Sequence, residues 1–225
     1  MTWLLGVLAV LAAGLFWQSA GSNQRRAMQR LGYLDAVLPL FSALLKGVAE
    51  TGFARVSGPY RGQMFDIQVV PDSLSIRKLP CLWLLVTLPA ALPVAGTYDV
   101  MLRATGHETF SRFSTLPHHL TTPATFPQNC TVRTDTPDAA PDADILAEFL
   151  AVLDATRLKE LIVATTGLRV VWLVEEADRG KYLLFRDAEM GTKALNPATL
   201  QPLMDALQDL WAQLQHPAAA RWVAE

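Results

Sequence analysis

The chain opens with an unbroken apolar stretch, because no charged residue occurs from Thr2 to Ala20. Its length is close to the roughly 20 residues that an α-helix needs to cross the hydrocarbon core of a bilayer. Trp3 and Trp17 lie near its two ends, and indole rings favour the headgroup region. The amino end lacks the lysine or arginine of a secretory signal peptide. The pattern therefore predicts an uncleaved, single-pass transmembrane anchor over residues 1–22.

Three arginines follow the apolar stretch and predict its orientation. Arg25, Arg26 and Arg30 all precede the first acidic residue, Asp35. Positive charge next to a membrane span favours the cytoplasmic side. We therefore expect the three arginines to lie at the membrane interface. The sequence predicts a protein of the bacterial inner membrane with its carboxy-terminal part in the cytoplasm, and the alternative is the periplasm.

An amphipathic pattern continues through residues 23–50. Apolar residues recur there at steps of three and four, which places them on one face of a helix. They are Leu31, Leu34, Val37, Leu38, Phe41, Leu44, Leu45 and Val48. Pro39 should kink this helix or restart it. A juxtamembrane helix is therefore predicted, packed either on its own domain or on a partner, and Phe41 and Leu45 are its candidate partner contacts.

Residues 54–137 have the pattern of a β-rich region that ends in a proline-rich loop. Polarity alternates in part from Met64 to Val70, as in a half-buried strand. The run from Cys81 to Leu88 is apolar throughout, and the prolines around it argue against a second membrane helix. From Phe110 to Pro141 the periodicity is lost. Ordered loops of this length are often functional, so this loop is a candidate binding surface.

Residues 138–216 show a clearer pattern of helix, strands and helix. A capped amphipathic helix begins near Asp144, and a second begins at Pro197. Between them the pattern predicts three antiparallel strands, Glu160–Ala164, Arg169–Glu175 and Lys181–Arg186, joined by glycine-containing turns. Arg169 is expected to take part in surface ion pairs. The predicted fold class is therefore α+β: a single amino-terminal transmembrane helix, a β-rich middle region, and a carboxy-terminal helix, three-stranded meander and helix.

Composition excludes several classes of function. The chain has 19 basic and 21 acidic side chains, a net charge of −2, which provides no field for attracting nucleic acid. Charged residues make up only 18% of the chain, which indicates surface hidden in lipid or against partners. Cys81 and Cys130 lack the spacing of a zinc site. Two free thiols are the simpler interpretation, and one disulfide is the alternative in an exported domain.

No motif in the sequence indicates a specific chemical activity. The chain contains no glycine-rich nucleotide loop and no nucleophile motif, so we expect no nucleotide, no cofactor, no metal and no catalysis. His118 and His119 are adjacent and would point to opposite sides of an extended chain, which makes a shared metal improbable. They are kept as candidate partner contacts. Trp222, in the tail of residues 217–225, is a further one.

Three functional hypotheses follow from this pattern. The first is a non-catalytic accessory or scaffolding subunit of a larger membrane complex, with the lipid bilayer and other membrane-protein subunits as partners. The alternative is a membrane-tethered domain that binds a small apolar or lipid ligand between the β-rich half and the final strands. The third is a hydrolase that uses His118 or His119.

Overall fold

The centre of the fold is a large antiparallel sheet, seen in a computed structural model that describes residues 3, 17, 24–72, 79–102, 110–185 and 190–215. Its strands are β1 (Leu45–Val48), β2 (Ala54–Tyr60), β3 (Gln63–Asp72), β4 (Cys81–Leu88), β5 (Tyr98–Leu102), β6 (His118–Leu120), β7 (Cys130–Thr134), β8 (Leu158–Ala164) and β9 (Gly167–Glu176). The described strands are arranged in the order β1-β2-β3-β4-β9-β8-β5-β7-β6. Strands β1 to β4 pair in sequence order, as do β6 with β7 and β8 with β9. The strands β8 and β9 lie between β4 and β5, and β7 lies between β5 and β6.

Three α-helices follow β7 in the described part of the chain. They are α1 (Ala143–Val152), α2 (Arg179–Phe185) and α3 (Pro197–Leu214). Residues 24–32 are also helical, and short 3-10 turns occupy Asp35–Leu40, Phe113–Thr115 and Pro137–Ala139. The side chains of Asp142 and Asn196 accept the backbone N–H groups of Asp144 and Ala198, each at 2.9 Å. These caps satisfy amide groups that have no partner inside their helices and so fix where α1 and α3 begin.

One face of the sheet, which we call the inner face, carries the main apolar core. Alternate residues point toward it, so Val56, Ile67, Val86 and Val170 lie in register on neighbouring strands, each fully buried. Helices α1 and α3 pack over this face with their apolar stripes. Their buried residues are Leu146, Phe149, Leu150, Leu200, Leu203, Met204, Leu207, Leu210 and Leu214. Burying each such side chain contributes about 1.5–3 kcal/mol, so this layer provides most of the stability.

The opposite face, the outer face, is more polar and has a smaller apolar cluster. Trp83, Leu85 and Val171 form this cluster on β4 and β9, and Phe110 from the loop after β5 packs against it. The Phe110 and Trp83 rings lie 5.7 Å apart at 52°. Because the central strands bury apolar side chains on both faces, their sequences read as continuous apolar runs rather than alternating ones.

The predicted fold class is wrong. The sequence pattern predicts a transmembrane helix, a β-rich region and a separate carboxy-terminal unit of helix, meander and helix, whereas the described strands form one sheet. The strands β8 and β9 pair outward with β5 and β4, so the two predicted regions share one sheet and one core. Pairings between residues far apart in sequence leave no local pattern, which is why the periodicity could not show them.

The third strand of the predicted meander is also wrong. Lys181–Arg186 was expected to be extended, but Arg179–Phe185 is helix α2. Asp178 causes the difference, because its side chain accepts the N–H of Lys181 at 2.7 Å and its carbonyl accepts the N–H of Tyr182 at 2.9 Å. An aspartate in this position starts a helix rather than a hairpin.

The predicted single-pass membrane anchor needs correction as well. None of the helices in the described part of the chain combines the length and the apolar character that crossing a membrane requires. Within residues 1–22 the structure describes Trp3 and Trp17, which are helical and exposed, and the rest of the predicted anchor lies outside the described residues. An apolar run and the tryptophans at its ends are local signals, and the predicted signal-anchor character rested on local signals of this kind.

The amphipathic helix predicted for residues 23–50 is interrupted. The chain is helical over residues 24–32, then forms a 3-10 turn at Asp35–Leu40 that contains Pro39. Leu45–Val48 is the edge strand β1, which pairs with β2. Proline cannot continue the hydrogen bonding of a helix, and the sheet edge offers the following residues an alternative set of backbone partners.

Candidate functional site

A cavity of about 550 Å³ lies on the outer face of the sheet, between strands β4, β9, β8 and β5 and the loop that follows β5. Its volume is within the range of small-molecule sites, about 300–1,000 Å³. Polar and apolar groups both line it. Its lining includes Thr87, Asp99, Phe110, Arg112, Ile162 and Arg169.

A row of directly paired residues, the cross-strand row, positions most of these side chains. Strand pairing places one residue of each strand side by side across the outer face. The row runs Leu45, Ser57, Asp66, Thr87, Arg169, Ile162, Asp99, Arg133 and His119. Directly opposite side chains lie close enough to interact. Its centre, from Thr87 to Asp99, forms the sheet side of the cavity.

Arg169 is held in place within this row. Its Nε donates to Thr87 Oγ1 at 2.9 Å across the β4–β9 pair. The side chain is half-buried rather than on an open surface, so the expectation of a surface ion pair for Arg169 does not describe its position. A guanidinium has five N–H donors, and the bond to Thr87 uses one of them. Arg169 is therefore held at the cavity wall by this bond.

Two buried carboxyl groups lie beside the cavity. Asp99 is 2% exposed and Glu160 is fully buried, on adjacent strands β5 and β8. Burial away from water, followed by the charge and hydrogen bonding of Glu160, raises the pKa of Asp99 well above its usual range. Asp99 is therefore protonated at neutral pH and shares a hydrogen bond with Glu160. No group among the described residues hydrogen-bonds to the other oxygen of Asp99, Oδ1.

Residues 110–116, the cover segment, line the cavity on its outer side. Phe110 packs in the outer apolar cluster, and Ser111 Oγ donates a hydrogen bond to Glu160. Arg133 Nη1 donates to the carbonyls of Ser114 and Leu116, at 3.2 Å and 3.1 Å. The guanidinium of Arg133 also lies 5.3 Å from the centre of the Phe113 ring. The cover segment is thus attached to the sheet at three points around the cavity.

Replacing Arg133 by alanine should loosen the cover segment. It removes two hydrogen bonds from a charged donor and a cation–π contact, which together are expected to cost about 2–4 kcal/mol of unfolding free energy. Amide hydrogen exchange in residues 110–116 should become faster by at least tenfold. Arg55→Ala is the matched control, because Arg55 is exposed and makes a surface ion pair with Asp66. Equal exchange rates in the two variants would contradict this role of Arg133.

A second concavity of about 630 Å³ lies between α1 and α3, on the far side of the inner core. Phe149 and Leu210 contribute to its floor, and Glu148, Asp205 and Asp209 lie around it. Asp205 is already engaged, because it accepts from the Tyr60 hydroxyl and from Arg61, each at 2.8 Å. This concavity is more apolar than the outer cavity and has no buried titratable group among its described lining residues.

The structure places the predicted site residues far from one another. His118 and His119 are exposed on the edge strand β6, and His119 ends the cross-strand row. Leu45 is 78% exposed at the opposite edge, on β1. Phe41 is buried in the core and therefore offers no surface for a partner.

The remaining predicted site residues lie near the amino terminus or in the tail. Arg25 and Arg26 are exposed in the helical residues 24–32, and the guanidinium of Arg30 lies 5.4 Å from the Phe53 ring centre. Trp222 lies outside the described residues. The two thiols are free, and burial raises the pKa of Cys130 to about 11, which leaves it unreactive at neutral pH.

Comparisons with known proteins identify no family for this chain. No family model matches it, and no curated protein matches it. A search of solved structures finds the crystal structure of the mycobacterial trehalose monomycolate transport factor A, TtfA, at a TM-score of 0.41 and 11% sequence identity. The similar region covers 80% of this chain and 83% of that one. Similarity at this level supports no conclusion about function, which must come from the cavity itself.

Proposed function

We propose that this protein is a binding protein that takes up a small amphipathic, lipid-like molecule in the cavity under the cover segment. The observation that supports this most is that polar and apolar side chains line the same cavity. Ile162 and Phe110 offer apolar contact, while Arg169 and Asp99 lie on the same sheet surface. Small-ligand sites combine apolar walls with a few placed polar groups in this way.

The residues that line the cavity favour ligand binding over catalysis. The hydroxyl groups that line the described part of the cavity belong to threonines, and no serine, cysteine, histidine or lysine lines that part. Asp99 and Glu160 have their proton engaged between them, which favours a fixed binding surface over proton transfer to a substrate. The histidines of the hydrolase hypothesis are at the sheet edge and do not line the described cavity wall.

Filling the cavity tests the proposal directly. Ile162→Trp places a large side chain on the cavity floor at a strand position that accepts aromatic residues. The fluorescent amphiphile N-phenyl-1-naphthylamine should bind the unchanged protein, and its affinity should fall at least tenfold in this variant. Gln68→Trp is the matched control, because Gln68 is also on the outer face but does not line the cavity. Equal affinity in both variants would contradict binding at this site.

A second candidate is the accessory-subunit role predicted from the sequence, which stays a prediction. The exposed edge strand β1 favours it, because Leu45 and Val48 are 78% and 67% exposed there. Edge strands with apolar side chains can pair with a partner strand. Leu45→Lys should therefore reduce the amount of any partner that cross-links to the protein in cells by several-fold. Unchanged cross-linking would argue against a β1 interface.

A further inference from the structure

The buried oxygen Asp99 Oδ1 restricts the chemistry of the proposed ligand. Asp99 is 2% exposed, lines the cavity, and shares a hydrogen bond with Glu160, so Oδ1 remains a hydrogen-bond acceptor. None of the described residues donates to it. A buried acceptor without a donor destabilises a protein, which favours a ligand that supplies one. The group that fits at this point must therefore carry an O–H or N–H.

Arg169 requires that the ligand also carry hydrogen-bond acceptors. Its Nε donates to Thr87, and because Arg169 lines the cavity, a ligand there should offer hydrogen-bond acceptors to its remaining N–H groups. Arg112 adds a second guanidinium to the lining. A group that satisfies both Asp99 and the arginines needs donors and acceptors together. A hydroxyl group has both.

A charged head group fits this lining less well. Burial opposes ionisation of Asp135, but hydrogen bonds from Thr97 and Thr136 outweigh it and lower the pKa of Asp135, so the cavity lining contains a carboxylate. An anion could accept from the two guanidinium groups, but it would also face this carboxylate and would have no donor for Asp99. A cation would face Arg112 and Arg169. Both arrangements bring like charges together in a partly dry site.

On the basis of the proposed binding function, we infer that the polar end of the ligand is an uncharged, hydroxyl-rich group. One hydroxyl donates to Asp99 Oδ1, and neighbouring oxygens accept from the guanidinium of Arg169. The apolar end lies against Ile162 and Phe110. The ligand class is therefore that of amphiphiles with a polyol or sugar head, rather than fatty acids or cationic lipids.

Three probes with the same alkyl chain test the head group. They are n-octyl-β-D-glucoside, octanoate and octyltrimethylammonium, each titrated calorimetrically below its micelle-forming concentration. Octyl glucoside should bind at least tenfold more tightly than the other two. Asp99→Leu should weaken octyl glucoside at least tenfold and leave octanoate unchanged, whereas Asp99→Asn should retain binding because its amide oxygen still accepts. Thermal unfolding confirms that each variant is folded.

The outcomes separate the two proposals. Asp72→Leu is the matched control, an acid-to-leucine change on the same outer face that lies outside the described cavity lining, and it should leave all three affinities unchanged. Tighter binding of octanoate, or unchanged octyl glucoside affinity in Asp99→Leu, would overturn the head-group assignment alone. If no probe binds the unchanged protein, or if Ile162→Trp binds them all as well as before, the proposed function itself fails.

Discussion

Replacing Gly167 by alanine is expected to destabilise the protein by about 3–5 kcal/mol, enough to remove much of the stability of a typical domain. Gly167 begins β9 with φ +146°, a conformation that side chains rarely adopt. An added Cβ would approach the Leu88 carbonyl oxygen to 2.2 Å and the Pro89 Cα to 3.0 Å. Both obstacles are backbone, so the variant can relieve the clash only by shifting β9 against β4.

The measurement is the free energy of unfolding in denaturant, with Gly62→Ala as the matched control. Gly62 also has a positive φ, +85°, between two paired strands, but no atom lies within 4 Å of an added Cβ. That variant should lose only about 1 kcal/mol, the cost of the conformation itself. Equal losses in the two variants would show that the close approach of Gly167 to β4 is not important. A shift of β9 would also move Arg169, so the Gly167 variant should bind amphiphiles less well.

Replacing Asp99 by asparagine is expected to stabilise the protein at pH 8 by about 1–3 kcal/mol. The folded protein binds a proton at Asp99 that the unfolded chain releases above about pH 4. Stability contributed by Asp99 is therefore present at acidic pH and falls as pH rises toward the raised pKa of the folded state. An amide is never ionised, so the variant should lose this pH dependence and equal the unchanged protein near pH 4.

The measurement is the free energy of unfolding at several values between pH 2 and pH 9, with Asp135→Asn as a control of opposite sign. Hydrogen bonds lower the pKa of Asp135, so its contribution is present at neutral pH and is lost as pH falls below its ordinary range. Asp135→Asn should therefore destabilise at pH 8 and have little effect at low pH. A stability curve that is the same for Asp99→Asn and the unchanged protein would show that Asp99 is ionised in the fold.

The sequence revealed local elements better than their assembly. Alternating or continuous apolar runs mark the strands β3, β4, β8 and β9 because burial on one or both faces imposes that pattern. The insertion of β8 and β9 between β4 and β5 depends on long-range pairing, which has no local signature. The prediction at Lys181–Arg186 failed because the Asp178 side chain accepts one hydrogen bond, from the Lys181 N–H, and this bond favours a helix over a strand.

Two acidic residues within apolar strands mark the cavity in the sequence, although the apolar periodicity does not reveal them. Asp99 interrupts the otherwise apolar strand Tyr98–Leu102, and Glu160 interrupts Leu158–Ala164. A carboxylate within a buried strand is costly unless it is paired, so such positions are candidates for a functional site. The pairing of Arg169 with Thr87, and of Arg133 with the cover segment, required the three-dimensional structure because their partners are distant in sequence.

Locating the bound amphiphile tests most directly whether the outer cavity is the binding site. Amide chemical shifts of the isotope-labelled protein, recorded during titration with octyl glucoside, report which residues contact it. We expect the largest changes at Asp99, Ile162 and Arg169 and in the cover segment, with little change at Phe149 and Leu210 in the concavity between α1 and α3. Changes confined to that second concavity, or no changes at all, would contradict the assignment of the outer cavity as the binding site.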